Sequence, residues 1–197
     1  DLDAWADKLS ATILPTGSLR RLAGGSVIDF PGFDDGEWWV QDAAAALPAQ
    51  LFSDIAGKRV LDLCAAPGGK TAQLALAGAH VTALDRSKAR LKKLEENMTR
   101  LNLEVIVKVA DATEFKPEEQ FDAILLDAPC SSTGTIRRHP DVALLKSDAD
   151  VKKLAELQSR LLDATIAQLK SGGTLVYSTC SLQSEEGEWQ IKDFLEK

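Results

Sequence analysis

The sequence predicts an α/β fold: a mostly parallel sheet with helices on both faces. Three observations predict it. After residue 58, short apolar runs alternate with segments of helical spacing. The first run feeds a glycine-rich turn, Pro67-Gly68-Gly69. Asp85, Asp111 and Asp127 then follow successive apolar runs.

The elements read in order. Residues 59–63 form a strand closed by the glycine turn, and 70–77 a helix. Residues 80–84 form the second strand, followed by a charged helix over 87–101. Residues 105–109 are β-branched and alternating, hence a third strand. Residues 121–126 are apolar but for Asp122, as in a strand buried on both faces. Apolar positions at helical spacing predict a helix over 151–169, with Gly172-Gly173 as its stop. Residues 174–179 form another strand, and 184–195 a helix with Ser184 as N-cap. Strands alternating with helices imply right-handed crossovers, and such sheets bind ligands outside the carboxyl ends of their strands.

Residues 1–58 carry weaker patterns. Residues 19–30 and 38–41 read as short strands, Asp34-Asp35-Gly36 as a turn, and 42–54 as a helix leading into the core. The division expected is an N-terminal extension over 1–41 and a core over 42–197.

The 197 residues suit one domain with a small appendage, and 45% hydrophobic with 27% charged residues is a soluble globular balance. No apolar run reaches the roughly 18 residues of a spanning helix. The opening Asp1-Leu2-Asp3-Ala4-Trp5 lacks the basic and apolar regions of a signal peptide, so a cytoplasmic location is expected. Cys64, Cys130 and Cys180 contain no Cys-x-x-Cys pair, which argues against a disulfide framework and against a metal site. The net charge of −7 is the wrong sign for a polyanionic partner. Basic clusters are local: Arg86, Lys88, Arg90, Lys92 and Lys93 read as a solvated helix face, and Arg137-Arg138 form a second group. The acidity implies that part of any RNA-binding surface lies outside this chain.

The segment Cys64-Ala65-Ala66-Pro67-Gly68-Gly69-Lys70 carries the first functional signal. Small residues let a ligand approach the backbone, and the following helix offers free N–H groups. The pattern is neither Gly-x-Gly-x-x-Gly nor a P-loop, which disfavours a nicotinamide-dependent oxidoreductase. A smaller ligand with a carboxylate fits better, such as the methionine end of S-adenosylmethionine. Asp85 lies 23 residues after Asp62, near the spacing of a ribose-binding acid. Asp111 is placed to accept from an adenine amino group. Arg86, Ala112 and Asp127 complete the expected cofactor cleft. Each Asp alone is more often a turn or cap residue; together after a glycine-rich turn they favour a cleft.

Asp127-Ala128-Pro129-Cys130-Ser131 and Ser178-Thr179-Cys180-Ser181 each follow a strand, so both cysteines face the same crevice. Carbon-5 of cytosine is a poor nucleophile. A thiolate that adds to carbon-6 makes carbon-5 electron-rich enough to take a methyl group. A second group then assists loss of the carbon-5 proton. An amino-group methyltransferase would place an aromatic residue where Cys130 stands. Position alone leaves open which cysteine attacks, and whether Asp127 holds the base, Lys70 or the cofactor.

Four motifs carry a resemblance: Leu61 to Thr71 (LDLCAAPGGKT), Leu126 to Gly134 (LDAPCSSTG), Arg137 to Asp141 (RRHPD), and Tyr177 to Ser181 with Glu185-Glu186. Over residues 41–186 the chain resembles the RsmB/Sun (Fmu) family of S-adenosylmethionine-dependent RNA cytosine-5 methyltransferases. The resemblance implies a Rossmann-like methyltransferase fold, truncated at the C-terminal end of the sheet. It implies that Cys180 is the nucleophile, Cys130 promotes product release, and Lys70 lies near Asp127 and the target base. It places Arg137, Arg138 and His139 on the RNA side, ribosomal RNA being the expected substrate of a monomeric enzyme. Two further readings stay open: a non-catalytic S-adenosylmethionine-binding subunit, which has no use for two thiols at strand ends, and a DNA cytosine-5 methyltransferase.

Overall fold

A computed structural model describes residues 1–22 and 24–197. Helix α1 (Leu2–Leu9) leads into an antiparallel ribbon of β1 (Thr12–Ile13) and β2 (Leu19–Arg20). After α2 (Leu47–Gln50) the chain runs β3 (Arg59–Leu63), α3 (Gly69–Leu76), β4 (His80–Asp85), α4 (Lys88–Arg100), β5 (Ile106–Val109) and β6 (Phe121–Asp127). It continues through α5 (Val142–Leu145), α6 (Asp148–Gln168), β7 (Leu169–Ser178) and α7 (Glu188–Leu195). Strands β3 to β7 form one parallel sheet in the order β5-β4-β3-β6-β7. The chain starts in the middle, steps outward through β4 and β5, then returns to the other side of β3. The order therefore reverses between β3 and β6, and a crevice opens beyond their carboxyl ends.

Alternation along the strands sorts side chains into two layers. Leu61, Leu63, Leu84, Ile124 and Leu126 pack with Leu161 and Leu162 of α6 and with Phe194 of α7. Val60, Val81, Ala123 and Leu125 face the other way, against Leu74 of α3 and Ala49 of α2. Ala83 joins Leu91, Leu94 and Met98 of α4 on that second face. Helices thus cover both faces, as the mostly apolar strands require. Ser87 caps α4 by accepting from Arg90 N, and Ser147 with Asp150 forms a capping box at α6.

The core elements match the sequence reading, and five expectations need correction. Residues 19–30 hold only the two-residue β2 and a 3-10 turn over Val27–Asp29; Gly24 and Gly25 interrupt the rest, and Ala23 lies outside the described residues. Residues 38–41 run as irregular chain, because the Trp38 carbonyl is taken by the Arg100 guanidinium (3.0 Å) instead of a neighbouring strand. Residues 42–54 give a 3-10 turn over Ala44–Ala46 and the single-turn α2, with Pro48 in its first turn and Asp54 at φ 51°. Gly172-Gly173 do not stop α6. The helix ends at Gln168, β7 begins at once, and the glycines fall in a register shift between Phe121 and Ala123. Likewise Ser184 opens a 3-10 turn over Ser184–Glu186 without capping it, and Gly187 separates that turn from α7. The turn at Asp34-Asp35-Gly36 is present.

Leu125 is fully buried at the centre of the sheet, so Leu125→Ala is expected to lower stability by about 2–5 kcal/mol in urea titration. Leu182→Ala, at a position 80% exposed, is expected to change it by less than about 0.5 kcal/mol.

Candidate active site

The glycine turn is shaped by its neighbours. Cys64 leaves β3 at φ 60°, Ala65 N donates to Leu84 O (3.1 Å), and Gly68 N donates to Ala65 O (2.9 Å). Helix α4 holds the turn from behind: the Arg90 guanidinium donates to Ala66 O, and Asn97 Nδ2 to Pro67 O (3.1 Å). Gly68 sits at φ 102°, and a Cβ there would lie 2.9 Å from Leu94 Cγ, so only glycine fits. No side chain caps the start of α3, which leaves its first N–H groups available.

Four carboxylates surround this turn. Asp62 is fully buried under α3, and its Oδ2 accepts from Thr71 Oγ1 at 2.6 Å. Its Oδ1 has no hydrogen-bond partner among the described residues. Burial pushes its carboxyl up to about 7, against the Thr71 hydrogen bond and with help from the Asp127 charge. Asp85 is buried at the end of β4; Oδ1 accepts from Ser87 N (2.9 Å), while Oδ2 faces Arg90 Nη1 at 3.2 Å without hydrogen-bond geometry. Asp111 is exposed after β5. The Thr113 hydroxyl and amide donate to it at 2.6 and 2.9 Å and hold its carboxyl below the usual range. Asp127 ends β6 and accepts from Lys70 Nζ (2.7 Å) and from Ser178 Oγ (3.0 Å). The Lys70 side chain is only 12% exposed, so this ion pair is well shielded from solvent.

A cavity of about 430 Å³ opens beside the turn. Asp62, Cys64 to Lys70 and Asp127 line one side, and the other is closed by Phe33, Trp39, Gln41, Asp42 and Arg138. Residues 33–41 are fastened there by Arg100, which donates to Phe33 O and Trp38 O and stacks 3.9 Å above the Phe33 ring. Gln41 bridges to Ala45 O (3.1 Å) and Gln73 Oε1 (2.9 Å). The structure thus brings together Cys64, Ala65, Ala66, Pro67, Gly68, Gly69, Lys70 and Asp127. Asp85, Arg86, Asp111 and Ala112 lie outside that lining, with Arg86 exposed and Ala112 buried, its carbonyl taken by Gln168 Nε2 (3.1 Å). Arg138 pairs with Asp42 at 3.4 Å at the cavity rim; Arg137 and His139 are exposed on the adjoining loop.

Cys130 and Cys180 meet at the ends of β6 and β7, with their sulfurs 3.3 Å apart. Cys180 is exposed and Cys130 half-buried. The Cys180 thiol donates to Cys130 and draws it down to about 6, against burial and with help from Thr179 and the Ser132 amide. The same hydrogen bond, with burial, pushes Cys180 up. The contact thus favours the thiolate on Cys130 over Cys180. Cys64 differs: burial and the nearby Asp85, Asp62 and Asp127 push it up to about 12, so it stays a neutral thiol.

The loop carrying Cys130 crosses closely under Cys180. Gly134 N donates to Cys180 O (2.9 Å), and a Cβ on Gly134 would stand 2.7 Å from that oxygen. Ser131 Oγ lies 3.1 Å from Ser181 Oγ, and Ser132 Oγ lies 3.5 Å from Cys180 Sγ. Sequence reasoning missed these serines, together with Gln158 and the buried role of Glu186. The signal available was the run of small hydroxyl residues around each cysteine. It missed the cavity wall of Phe33, Trp39 and Gln41 as well, since nothing local links those residues to the turn.

A parallel sheet with this strand order, a glycine turn after its central strand and acids at successive strand ends define a Rossmann-like methyltransferase fold. Residues 49–197 match the family described as 16S rRNA methyltransferase RsmB/F, and the chain belongs to that family. It is 46% identical over 185 residues to the ribosomal RNA small subunit methyltransferase B of Serratia proteamaculans, matching 91% of this chain and 43% of that protein. The chain thus spans less than half the length of that relative. A methyltransferase homolog protein from Pyrococcus horikoshii superposes with a TM-score of 0.87 at 31% identity, covering 100% of this chain and 66% of that one. NSun6 from Pyrococcus horikoshii, solved with SFG, gives 0.81 at 32% identity over 87% of this chain and 45% of that one.

Asp62 makes a testable link between site and stability. Its folded-state pKa is raised, so the native state holds the proton more tightly. Stability is full below the ordinary carboxylate range near 4 and falls as pH rises to about 7. Urea midpoints of the ligand-free protein are expected to fall across that window, and Asp62→Asn to remove the fall. Parallel profiles for the two proteins would contradict this account.

Proposed function

We propose that this chain carries the catalytic core, over residues 42–197, of an enzyme that methylates carbon-5 of cytosine in ribosomal RNA, with S-adenosylmethionine as donor. The observation that carries the reading is the 3.3 Å contact of two free cysteines at the carboxyl ends of β6 and β7. The family supports an RNA substrate.

The residues present fit S-adenosylmethionine. The uncapped start of α3 offers N–H groups to a carboxylate, the Gly68-Gly69 turn lets a ligand approach the backbone, and Asp62 Oδ1 and Asp85 Oδ2 are buried acceptors without hydrogen-bond partners. Asp85 would hold the ribose and Asp111 the adenine end. Bound there, the donor supplies an electrophilic methyl group.

The chain's own groups do the rest. Exposed Cys180 sulfur bonds to carbon-6 of the ring, and its proton crosses the 3.3 Å to Cys130. Cys130 releases that proton to solvent. Lys70 and Ser178 fix the Asp127 carboxylate at the end of β6, where it accepts from the base and balances charge as carbon-5 becomes nucleophilic. After methyl transfer, Cys130 takes the proton from carbon-5, the bond from carbon-6 to Cys180 breaks, and its electron pair returns to sulfur. Exposed Arg137 and His139 are placed to meet RNA phosphates; Arg138 shares its charge with Asp42.

A second reading reverses the cysteines, since the contact favours the thiolate on Cys130. Single mutants of the full-length protein separate the two. Cys180→Ala is expected to abolish methyl transfer, and Cys130→Ala to leave protein covalently trapped on RNA, seen as a shifted band after denaturing electrophoresis. Trapping by Cys180→Ala, with Cys130→Ala inert, would establish the reversed roles. Full activity in both single mutants would overturn the covalent mechanism.

A further inference from the structure

Glu186 is fully buried and forms no ion pair among the described residues. A carboxylate in such a place is costly unless hydrogen bonds compensate it, and an apolar side chain of similar size would serve packing at least as well. Its side-chain hydrogen bonds go to Ser131, the neighbour of Cys130, and to Gln158. Oε1 accepts from Ser131 N (2.9 Å) and from Gln158 Nε2 (3.0 Å), and Oε2 accepts from Ser131 Oγ. Gln158, on α6, also donates to Pro129 O (2.9 Å). Both neighbours of Cys130 in the chain are therefore gripped.

The backbone of Glu186 is tied to the other cysteine. Its carbonyl accepts from Tyr177 OH at 2.7 Å, and Tyr177 lies in β7, three residues before Cys180. Ser131 Oγ reaches across to Ser181, the residue after Cys180. One buried residue thus links, through its side chain and its backbone carbonyl, two segments that carry sulfurs 50 residues apart in sequence. Of the titratable groups, Cys180 touches the Cys130 sulfur and Tyr177 lies within reach of its charge, while Asp127 acts on Cys180 and Glu186 on Tyr177. Lys70 of α3 is engaged by Asp127.

We propose that Glu186 is a positioning residue for the cysteine pair: by holding Ser131 it keeps the Cys130 sulfur in hydrogen-bonding contact with Cys180. Its catalytic meaning rests on the function proposed above, but the contact does not. Without the carboxylate, Ser131 N and Oγ lose their acceptor, the loop shifts, and Cys130 loses the hydrogen bond that favours its thiolate.

The test reads Cys130 directly. Alkylation by iodoacetamide is followed by peptide mass spectrometry from pH 5 to 9, in the wild type and in Glu186→Gln, with thermal unfolding as the check on folding. Glutamine keeps the shape and one carbonyl acceptor, but its amide N–H₂ replaces an oxygen that accepts in the wild type and takes away the negative charge. The wild-type midpoint is expected near 6, and Glu186→Gln to move it up toward the ordinary thiol value of about 8.5. Leu161→Ala, in the core under the same face, is expected to lower the melting temperature without moving the midpoint. Should Glu186→Gln fail to fold, Ser131→Ala removes one donor and is expected to give a smaller upward shift. An unmoved midpoint in a folded variant would overturn the assignment. No RNA or methyl donor enters this assay. A shifted midpoint alongside a wild-type protein inactive on RNA would keep Glu186 in its role and remove the reaction reading; activity alongside an unmoved midpoint would do the reverse.

Discussion

The parallel pairing of β3 with β6 is the constraint on which the rest of the molecule depends. Leu61, Leu63, Ile124 and Leu126 build one face of that pair, and Val60, Ala123 and Leu125 the other. Because the strand order reverses here, Asp62, the glycine turn and Asp127 all emerge at one end of the sheet. Lys70 can then reach Asp127 across 57 positions of sequence, and β7, pairing with β6 in register at Asp127 and Ser178, delivers Cys180 beside Cys130. A shift of β7 by one residue would turn Ser178 from Asp127 and carry Cys180 away from its partner.

Electrostatics around this end are arranged by depth. Asp62 lies deepest and holds its proton most tightly, whereas Asp111, exposed and hydrogen-bonded by Thr113, stays ionised. Between them the two cysteines divide by position: the contact lowers the pKa of the half-buried sulfur of Cys130 and raises that of the exposed Cys180. Overall the chain is acidic, with a net charge of −7, and the rim of the cavity carries Arg138 against Asp42 and not a broad basic surface.

The central strands were legible because each is mostly apolar and short, and the acids at their ends were legible because nothing in packing calls for them there. The cysteines could be placed in one crevice, but not ranked, since the proton's position depends on a 3.3 Å contact between two distant loops. Residues 38–41 and 42–54 were misread for a related reason. Arg100 of α4 holds the Trp38 carbonyl and Gln73 of α3 the Ala46 carbonyl, so the local pattern carried no information about these partners. Gly172-Gly173 read as a helix stop because the same residues serve equally well in a strand excursion. Glu186 was visible as part of a motif; its partners, Ser131 and Gln158, lie 55 and 28 residues away.

The most direct measurement is peptide mass spectrometry after incubating the full-length protein with S-adenosylmethionine and ribosomal RNA containing 5-fluorocytidine. Fluorine at carbon-5 cannot leave as a proton does, so the attacking sulfur stays bonded to the ring. The account predicts a methylated nucleotide attached to the peptide that carries Cys180. A protein that binds the donor and the RNA, yet forms no adduct on either Cys180 or Cys130, would contradict it.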